Sequence, residues 1–169
     1  MLIMAIVIVL AIAYLSYLHI HLIPQKEALL QASSHYMEGS YVKVIDDLRE
    51  IDLKNLDKYQ KYILAVSYVK GESLTPEQKE NILEKISIDG EEKIKEYWIY
   101  LGRLNTAEAQ NIAMQRSDDE LLLYAYMTEK AILEKNTQIT GKEKTDRLNT
   151  LEKKIEELAK KYEETTDTE

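Results

Sequence analysis

The stretch LIMAIVIVLAIAYLSYLHIHLI, residues 2–23, decides how this chain is organised. It carries no charge, and the first charged residue of the whole chain is Lys26. A helix of this length rises about 1.5 Å per residue and reaches roughly 33 Å, more than the roughly 30 Å of a hydrocarbon core. Thirteen of its 22 residues are Leu, Ile or Val, which favour insertion. The sequence predicts a transmembrane helix over residues 1–24, marked by Leu2, Ile6, Val9, Ile12, Leu15, Leu18 and Leu22.

The C-terminal end of this stretch indicates where the helix leaves the membrane. Two tyrosines and two histidines lie between residues 14 and 21, and amphipathic rings prefer the headgroup level. Pro24 is expected to end or kink the helix, so the exit falls near residues 17–24. His19 and His21 diverge by about 200° on a helix and cannot both bind one metal, so we interpret them as interfacial residues.

Two other interpretations of the stretch are weaker. A secretory signal peptide has a basic n-region and a small-residue cleavage site, and neither is present around residues 2–23. A buried core helix of a soluble protein seldom runs so long without a polar face. A second copy of the same helix is the simplest partner for this surface, which makes homodimerisation a hypothesis. Ala5, Ala11 and Ala13 form no small-x-x-x-small motif to support it.

The composition of the remaining chain excludes several partners. The formal net charge is −8, and all charged residues lie from Lys26 onward. An acidic domain of this kind is a poor match for nucleic acid or for electrostatic docking on anionic lipid. The chain contains no cysteine, which excludes disulfides, thiolate zinc sites and cysteine nucleophiles. Only Lys26 lies close to the span, so charge does not orient it.

Apolar residues recur at intervals of three and four after Pro24, which predicts an all-helical domain over residues 25–162. Gly39-Ser40 is expected to separate the first two helices, and Gly71 to end the third. Thr75 followed by Pro76 is typical of a helix start, with threonine as the cap and proline at the first helical position. The next pair of helices is expected to join across Leu104-Asn105. An acidic triplet, residues 118–120, begins another helix because it complements the helix dipole.

The last predicted helix follows Thr140-Gly141. Its apolar residues step by three and four, which is the spacing of a two-heptad a/d seam: Leu148, Leu151, Ile155, Leu158 and Tyr162. Two heptads leave two alternatives open, a helix packed on its own domain and a coiled coil between chains. Residues 163–169 are acidic or small and polar, and we expect a disordered tail there.

Several segments resemble tetratricopeptide units. Ala32-x-x-x-Tyr36-x-x-Gly39, Ala65-x-x-Tyr68-x-x-Gly71 and Trp98-x-x-Leu101-Gly102 share small, aromatic and glycine positions, although they lack a fixed 34-residue period. We interpret the domain as a degenerate stack of about three helical hairpins.

No catalytic motif is present, and no cofactor or metal site is predicted. The chain has three histidines and five glycines, and it lacks a nucleophile elbow, a phosphate-binding glycine loop and a His-Glu-x-x-His pair. We therefore expect that the protein is not an enzyme. Trp98 is expected in the core, whereas Tyr97, Tyr100 and Arg103 are candidate partner contacts because Trp, Tyr and Arg dominate interfaces.

The order of segments closely resembles the EssB/YukC family of type VII secretion proteins. The resemblance runs from the span through Tyr62-Ile63-Leu64-Ala65-x-Ser67-Tyr68-Val69 and residues 73–82. Its most specific part is Tyr97-Trp98-Ile99-Tyr100-x-Gly102-Arg103-x-Asn105.

This resemblance implies a membrane component of a Gram-positive secretion machinery, with one span and a helical domain on the outer face. Family members have a cytoplasmic domain resembling a kinase without its catalytic residues, and they act as dimers. This chain begins at the span: either it is truncated at Met1, which we expect, or the cytoplasmic half is absent by nature.

The expected role is a scaffold that self-associates, contacts membrane lipid and docks other membrane components of the complex. An alternative is a membrane-tethered adaptor that binds a peptide or an exported substrate protein. A membrane-anchored hydrolase is a third class, which would require a polar pocket with a positioned nucleophile and base.

Overall fold

The computed structural model describes residues 2–17 and 23–166, and the side chains of residues 7, 9–17 and 23–161. Every regular element in these ranges is helical, which confirms the predicted all-α class. The α-helices are α1 (Leu2–Tyr17), α2 (Ile23–Met37), α3 (Tyr41–Leu48), α4 (Lys58–Gly71), α5 (Pro76–Glu84), α6 (Glu92–Gly102), α7 (Thr106–Arg116), α8 (Asp119–Lys135) and α9 (Gly141–Thr166). A short 3-10 helix, Leu53–Asn55, precedes α4.

The helices fall into two compact units, one ending at Asp89 and the other beginning at Gly90. The sequence predicted a single helical domain over residues 25–162. The first unit holds α1 to α5 and the second holds α6 to α9.

Helix α1 comprises residues 2–17 of the predicted span, which was residues 1–24. Leu2, Ile6, Val9, Ile12 and Leu15 belong to it, whereas Leu18, Leu22 and both histidines of the span lie outside the described residues. Within the described ranges, no helix combines the length and the apolar character needed to cross a bilayer. Pro24 belongs to α2, which the structure describes from Ile23 onward. The predicted end or kink of the span at Pro24 depends also on residues 18–22, which lie outside the described residues.

The core of the first unit forms around α4. Its residues Ile63–Val69 are all buried, and α2 and α3 pack against this helix. Asp57 begins α4 with a capping box, because its carboxylate accepts from the Gln60 N–H at 2.8 Å and the Gln60 side chain accepts from the Asp57 N–H at 2.9 Å. The predicted turn at Gly39 is confirmed, with φ of 71° that suits glycine.

Helix α5 begins as the sequence predicted. Thr75 accepts from the Gln78 N–H at 3.2 Å, and Pro76 occupies the first helical turn. The Gln78 side chain accepts from the Thr75 N–H at 3.0 Å, which completes a second capping box.

In the second unit, each helix packs on the next along the chain, from α6 to α9. The described part of the α9 seam packs within its own chain: Leu151 is buried with Tyr126 and Leu133 of α8, and Leu148, Ile155 and Leu158 pack against this cluster. The side chain of Tyr162, the last seam position, lies outside the described residues. Of the two alternatives left by the sequence, the structure has the helix packed on its own domain.

Lysine side chains connect α9 to α8, or to the residue that follows α8, near both ends of α9. Near its start, Lys144 donates to the carbonyl oxygens of Glu134 and Asn136, at 2.8 and 2.7 Å. Near its end, Lys161 pairs with Asp119 at the beginning of α8. The helix extends to Thr166, which includes the first residues of the predicted tail, and residues 167–169 lie outside the described residues.

Candidate protein-contact surface

Helix α6 carries the candidate contact residues, and its phase decides which of them face inward. Ile94, Trp98 and Leu101 recur at intervals of four and three and are all buried. Tyr97 precedes Trp98 and shares this buried side of the helix.

Tyr97 is fully buried, with 0 % of its surface exposed. Its hydroxyl donates to the carbonyl oxygen of Leu121 at 2.5 Å, and its ring meets Trp98 edge-on with centroids 5.2 Å apart. Burial of a tyrosine hydroxyl is costly unless it is hydrogen-bonded, and Leu121 satisfies this one. Tyr97 therefore joins α6 to the first turns of α8 and does not present its ring to solvent.

Trp98 is the core residue that the sequence predicted, since only 3 % of it is exposed. Its ring lies against Tyr124 of α8, with centroids 6.0 Å apart. The two aromatic residues in the middle of α6 therefore connect this helix to α8, and both act in packing.

Tyr100 and Arg103 are both half-buried at the C-terminal end of α6. The Arg103 N–H donates to the Ile99 carbonyl oxygen at 2.9 Å, and the Asn105 N–H donates to the Tyr100 carbonyl oxygen at 2.9 Å. Asn105 then caps α7, because its side chain accepts from the Glu108 N–H at 3.4 Å. Of the three predicted contact residues, Tyr100 and Arg103 are therefore partly exposed, whereas Tyr97 is buried.

Leu104, between Arg103 and Asn105, was not singled out by the sequence. Its φ is 59°, in the left-handed region, and 62 % of its surface is exposed. No sequence signal marks such a position, because glycine or asparagine is the usual residue after a helix in this conformation.

Charged side chains flank α6 on its solvent side. Lys93 and Glu96 form an ion pair at 2.9 Å, and the hydrogen bond to Glu96 raises the pKa of the Lys93 ammonium above its ordinary value. Arg116 at the end of α7 pairs with Glu91 just before α6. In each pair one side chain, Lys93 or Glu91, is about half exposed, and ion pairs open to solvent add little stability.

The described residues contain no group of three or more His, Asp or Glu side chains placed to hold a metal ion. Open clefts are present in both units of the described chain, two in the first and one in the second. One cleft of the first unit is about 600 Å³ and includes Lys70, Lys79 and Leu83, and that of the second is about 330 Å³ and includes Gln110, Glu129 and Arg147. Neither of these two linings includes an aromatic ring, but the other cleft of the first unit, about 370 Å³, includes Tyr41 beside Val42 and Lys70. An extended aromatic-lined groove is what would favour the adaptor alternative.

The exposed side chains of α1 form the other candidate surface. Val9, Ile12 and Leu15 are 64 %, 58 % and 63 % exposed. Exposed apolar sets of this kind are typical of surfaces that contact another protein or a membrane.

The chain matches one protein family over nearly its whole length. The family model described as the WXG100 protein secretion system (Wss), protein YukC, matches residues 1–161. An uncharacterized protein of Clostridium acetobutylicum is 32% identical over 157 residues, which cover 93% of this chain and 42% of that protein. The type VII secretion system protein EssB of Staphylococcus aureus is 24% identical over 152 residues, which cover 89% of this chain and 34% of EssB.

A solved structure shares the fold. The crystal structure of the extracellular fragment of EssB from Geobacillus thermodenitrificans aligns with a TM-score of 0.78 and 30% identity, and the alignment covers 86% of this chain and 96% of that fragment. By length, the present chain spans about two fifths of the Clostridium protein and one third of Staphylococcus EssB.

Proposed function

Because this chain belongs to the EssB/YukC family of the WXG100, or type VII, protein secretion system, we propose that it is a single-pass membrane scaffold subunit of such a machinery. In this proposal α1 and the residues that follow it cross the membrane, residues 25–162 lie outside the cytoplasm, and two copies associate through the span. The helical units dock other membrane components of the complex. We expect no catalytic turnover.

The observation that carries the proposal is the extent of the family match, residues 1–161 of 169. The match includes both α1 and the two helical units, so it supports one protein that combines a membrane segment with an external domain. The similarity to an EssB fragment described as extracellular supports the same orientation.

The surface of α1 supports the membrane part of the proposal. Its described side chains from Val9 to Tyr17 include no charge, and its large apolar residues are more than half exposed. The uncharged sequence continues to Gln25, which gives enough residues for a helix about 30 Å long. Lipid and the same helix of a second copy would cover this surface.

The proposal also includes the degenerate stack of helical hairpins that the sequence predicted. The segments that begin at Ala32, Ala65 and Trp98 place small and aromatic residues between packed helices. Stacked hairpins present extended outer surfaces, which suits a docking role.

The adaptor alternative predicts a different partner for the same domain, namely a peptide or an exported substrate. Among the clefts of the two units only the one at Tyr41 includes an aromatic ring, which gives the adaptor less support than an extended aromatic groove would.

In-cell photo-crosslinking of the full-length protein tests the proposal. A photoreactive residue replaces Tyr100, and the matched control places it at Thr137, which is exposed in the turn before α9. Adducts with other membrane proteins of the secretion machinery at position 100, absent from position 137, would support the scaffold. Adducts mainly with exported proteins would favour the adaptor, and a position 100 that captures neither would contradict docking at this surface.

A further inference from the structure

One side of α2 presents a line of large apolar side chains to solvent. Ile23, Leu30 and Met37 are 45 %, 74 % and 79 % exposed. They follow each other at intervals of seven residues, so on a helix of 3.6 residues per turn they lie within about 20° of one line. The opposite side of α2 contains the fully buried Ala32, and the helix packs on α3 and α4. Folding of the first unit therefore uses one side of α2 and leaves these three side chains largely uncovered.

Charged residues of opposite sign flank this line. Lys26 and Glu27 precede Leu30 by four and three residues, which places them about 40° to one side of the line and about 60° to the other. Both are exposed, and neighbours in sequence do not face each other on a helix, so they cannot pair with each other. In the described part of the chain, neither belongs to an ion pair.

We propose that the outer face of α2, defined here as Ile23, Lys26, Glu27, Leu30 and Met37, packs against the same face of a second copy of this chain, with the two helices parallel. The three apolar residues form three layers, and in each layer a side chain meets its equivalent from the other copy. This inference rests on the proposed function, because it extends the association of the two spans beyond the membrane.

The parallel arrangement follows from the proposed membrane anchor. Two copies inserted with the same orientation in one membrane are related by a two-fold axis along the membrane normal. Only five residues, 18–22, separate α1 from α2, and a chain of that length reaches at most roughly 20 Å. Both copies of α2 therefore begin close to the axis on which the spans meet, where a residue faces its own equivalent.

Charge selects the parallel pair as well. When two identical helices face each other in parallel, one flank of the line lies beside the opposite flank of the other copy. Lys26 of each copy therefore lies beside Glu27 of the other, which gives two ion pairs. In an antiparallel pair centred on Leu30, these charges would instead face serine positions, Ser33 and Ser34. The outer face is thus complementary to itself in one orientation.

A lipid surface matches the same face less well. Helices that lie on a membrane carry several Lys or Arg residues on their polar side. The exposed residues of α2 include Lys26 but also the acidic Glu27 and Glu38.

The contact is expected to form only between anchored copies. Three layers are short for a coiled coil that assembles alone, because sustained pairing takes three or four heptads. The spans compensate for this, since they hold two copies at high effective concentration. The full-length protein in its membrane is therefore the form to test.

Single cysteines test the contact, because the chain contains none of its own. Leu30→Cys and Met37→Cys place a thiol on the line, whereas Gln31→Cys and Glu38→Cys place one on exposed positions about 100° away. A disulfide requires Cα atoms within about 7 Å, which only residues close to the axis satisfy. After oxidation of membranes with copper phenanthroline, we expect at least about fivefold more covalent dimer from positions 30 and 37 than from positions 31 and 38.

Charge exchange tests the identity of the occupant. Lys26→Glu places carboxylates side by side in the pair and should lower the disulfide yield at position 37 about fivefold. Lys43→Glu makes the same change of charge at an exposed position of α3 and should not. The double exchange Lys26→Glu with Glu27→Lys restores opposite signs between two copies and should recover the yield. A different protein with fixed charges would not follow the exchange. All of these positions are exposed, so the melting temperature should remain that of wild type.

Co-purification of two differently tagged full-length copies separates this inference from the proposed function. If tagged copies associate but positions 30 and 37 crosslink no more than positions 31 and 38, the α2 contact is wrong although association through the spans stands. If tagged copies do not associate, both the contact and the proposed self-association fail. A thiol-specific crosslink from position 37 to a different protein, or a yield that the double exchange does not recover, would overturn the second copy as the occupant.

Discussion

Tyr36 shows how the fold changes the chemistry of a single residue. Its ring meets Tyr41 and Tyr62 edge-on, with centroids 6.0 Å apart in both pairs, and its hydroxyl donates to the Tyr62 hydroxyl at 3.4 Å. Burial, followed by the hydrogen bond to Tyr62, raises the pKa of the Tyr36 hydroxyl well above its ordinary value. The folded first unit therefore favours the neutral phenol.

This raised pKa predicts a loss of stability in alkali. Below about pH 10, the ordinary tyrosine pKa, Tyr36 is protonated in both the folded and the unfolded chain, and its contribution is complete. As the pH rises further, the unfolded chain releases the proton first, so the free energy of unfolding decreases until the folded residue also ionises. Urea unfolding between about pH 9 and pH 11.5 should show this decrease in wild type and a smaller one in Tyr36→Phe.

Met37→Leu is the control for that titration, because it changes the adjacent exposed residue without altering an ionisable group. The free energy of unfolding of Met37→Leu should depend on pH in the same way as that of wild type. Equal slopes for wild type and Tyr36→Phe would show that Tyr36 ionises alike in both states and would contradict the prediction.

Among the helices, α9 shows most directly how packing selects between two possibilities. Its a/d spacing suits either a coiled coil or a helix on its own domain, and the sequence could not choose between them. In the structure Leu151 is 5 % exposed and lies with Tyr126 and Leu133 of α8. The short turn before Gly141 brings the two helices together, and Lys154 adds a cation–π contact 4.8 Å above the Tyr126 ring.

Leu151→Ala should lower the free energy of unfolding by about 2–4 kcal/mol, because it leaves a cavity beneath α9. Chemical denaturation measures this effect, and Lys153→Ala, an exposed residue of the same helix, should change it by less than about 0.5 kcal/mol. The loss should be the same at every protein concentration, since the seam lies within one chain. A loss that grows on dilution would place the seam between chains.

Local signals were sufficient to predict many helix boundaries. Thr75, Asn105 and Asp118 each accept a backbone hydrogen bond at a helix start, and Gly71 ends α4. Such signals depend only on residues within one turn, so a sequence reveals them. The 3-10 helix at Leu53–Asn55 begins with a similar signal, since the Asp52 carboxylate accepts from the Lys54 N–H at 3.1 Å, but this short element was not predicted.

Predicting which candidate contact residues are exposed required more information than the local signals give. The burial of Tyr97 follows from the phase it shares with Ile94 and Leu101, a pattern that the sequence contains. The left-handed conformation of Leu104 could not be predicted, because leucine almost never occupies that position. The division after Asp89 depends on which distant helices pack together, which periodicity along the chain does not encode.

At the scale of the whole molecule, α1 supplies exposed apolar surface and the later helices supply the charges. We expect the proposed dimer to depend on the exposed apolar surface of α1. Replacing residues 2–23 with a poly-Leu helix of equal length should weaken the association of full-length copies, because specific side-chain packing is lost while lipid affinity is kept.

Sedimentation in detergent at fixed protein-to-detergent ratio measures this association, and circular dichroism checks that the later helices remain folded. The matched control exchanges the order of Thr137 and Gln138, which keeps the composition of an exposed turn between α8 and α9. An unchanged dimer after the poly-Leu replacement would place the interface in residues 26–169 instead.

The lysine contacts at the two ends of α9 also determine how the second unit would respond to mechanical load. Since α8 and α9 run antiparallel, Asp119 and Lys161 lie at the same end of the pair. A force that separates these two ends would break the contacts between α8 and α9 one after another, beginning at Lys161 and ending at Lys144. Such peeling needs far less force than sliding two helices past each other, so α9 would yield first to tension applied at its C-terminal end.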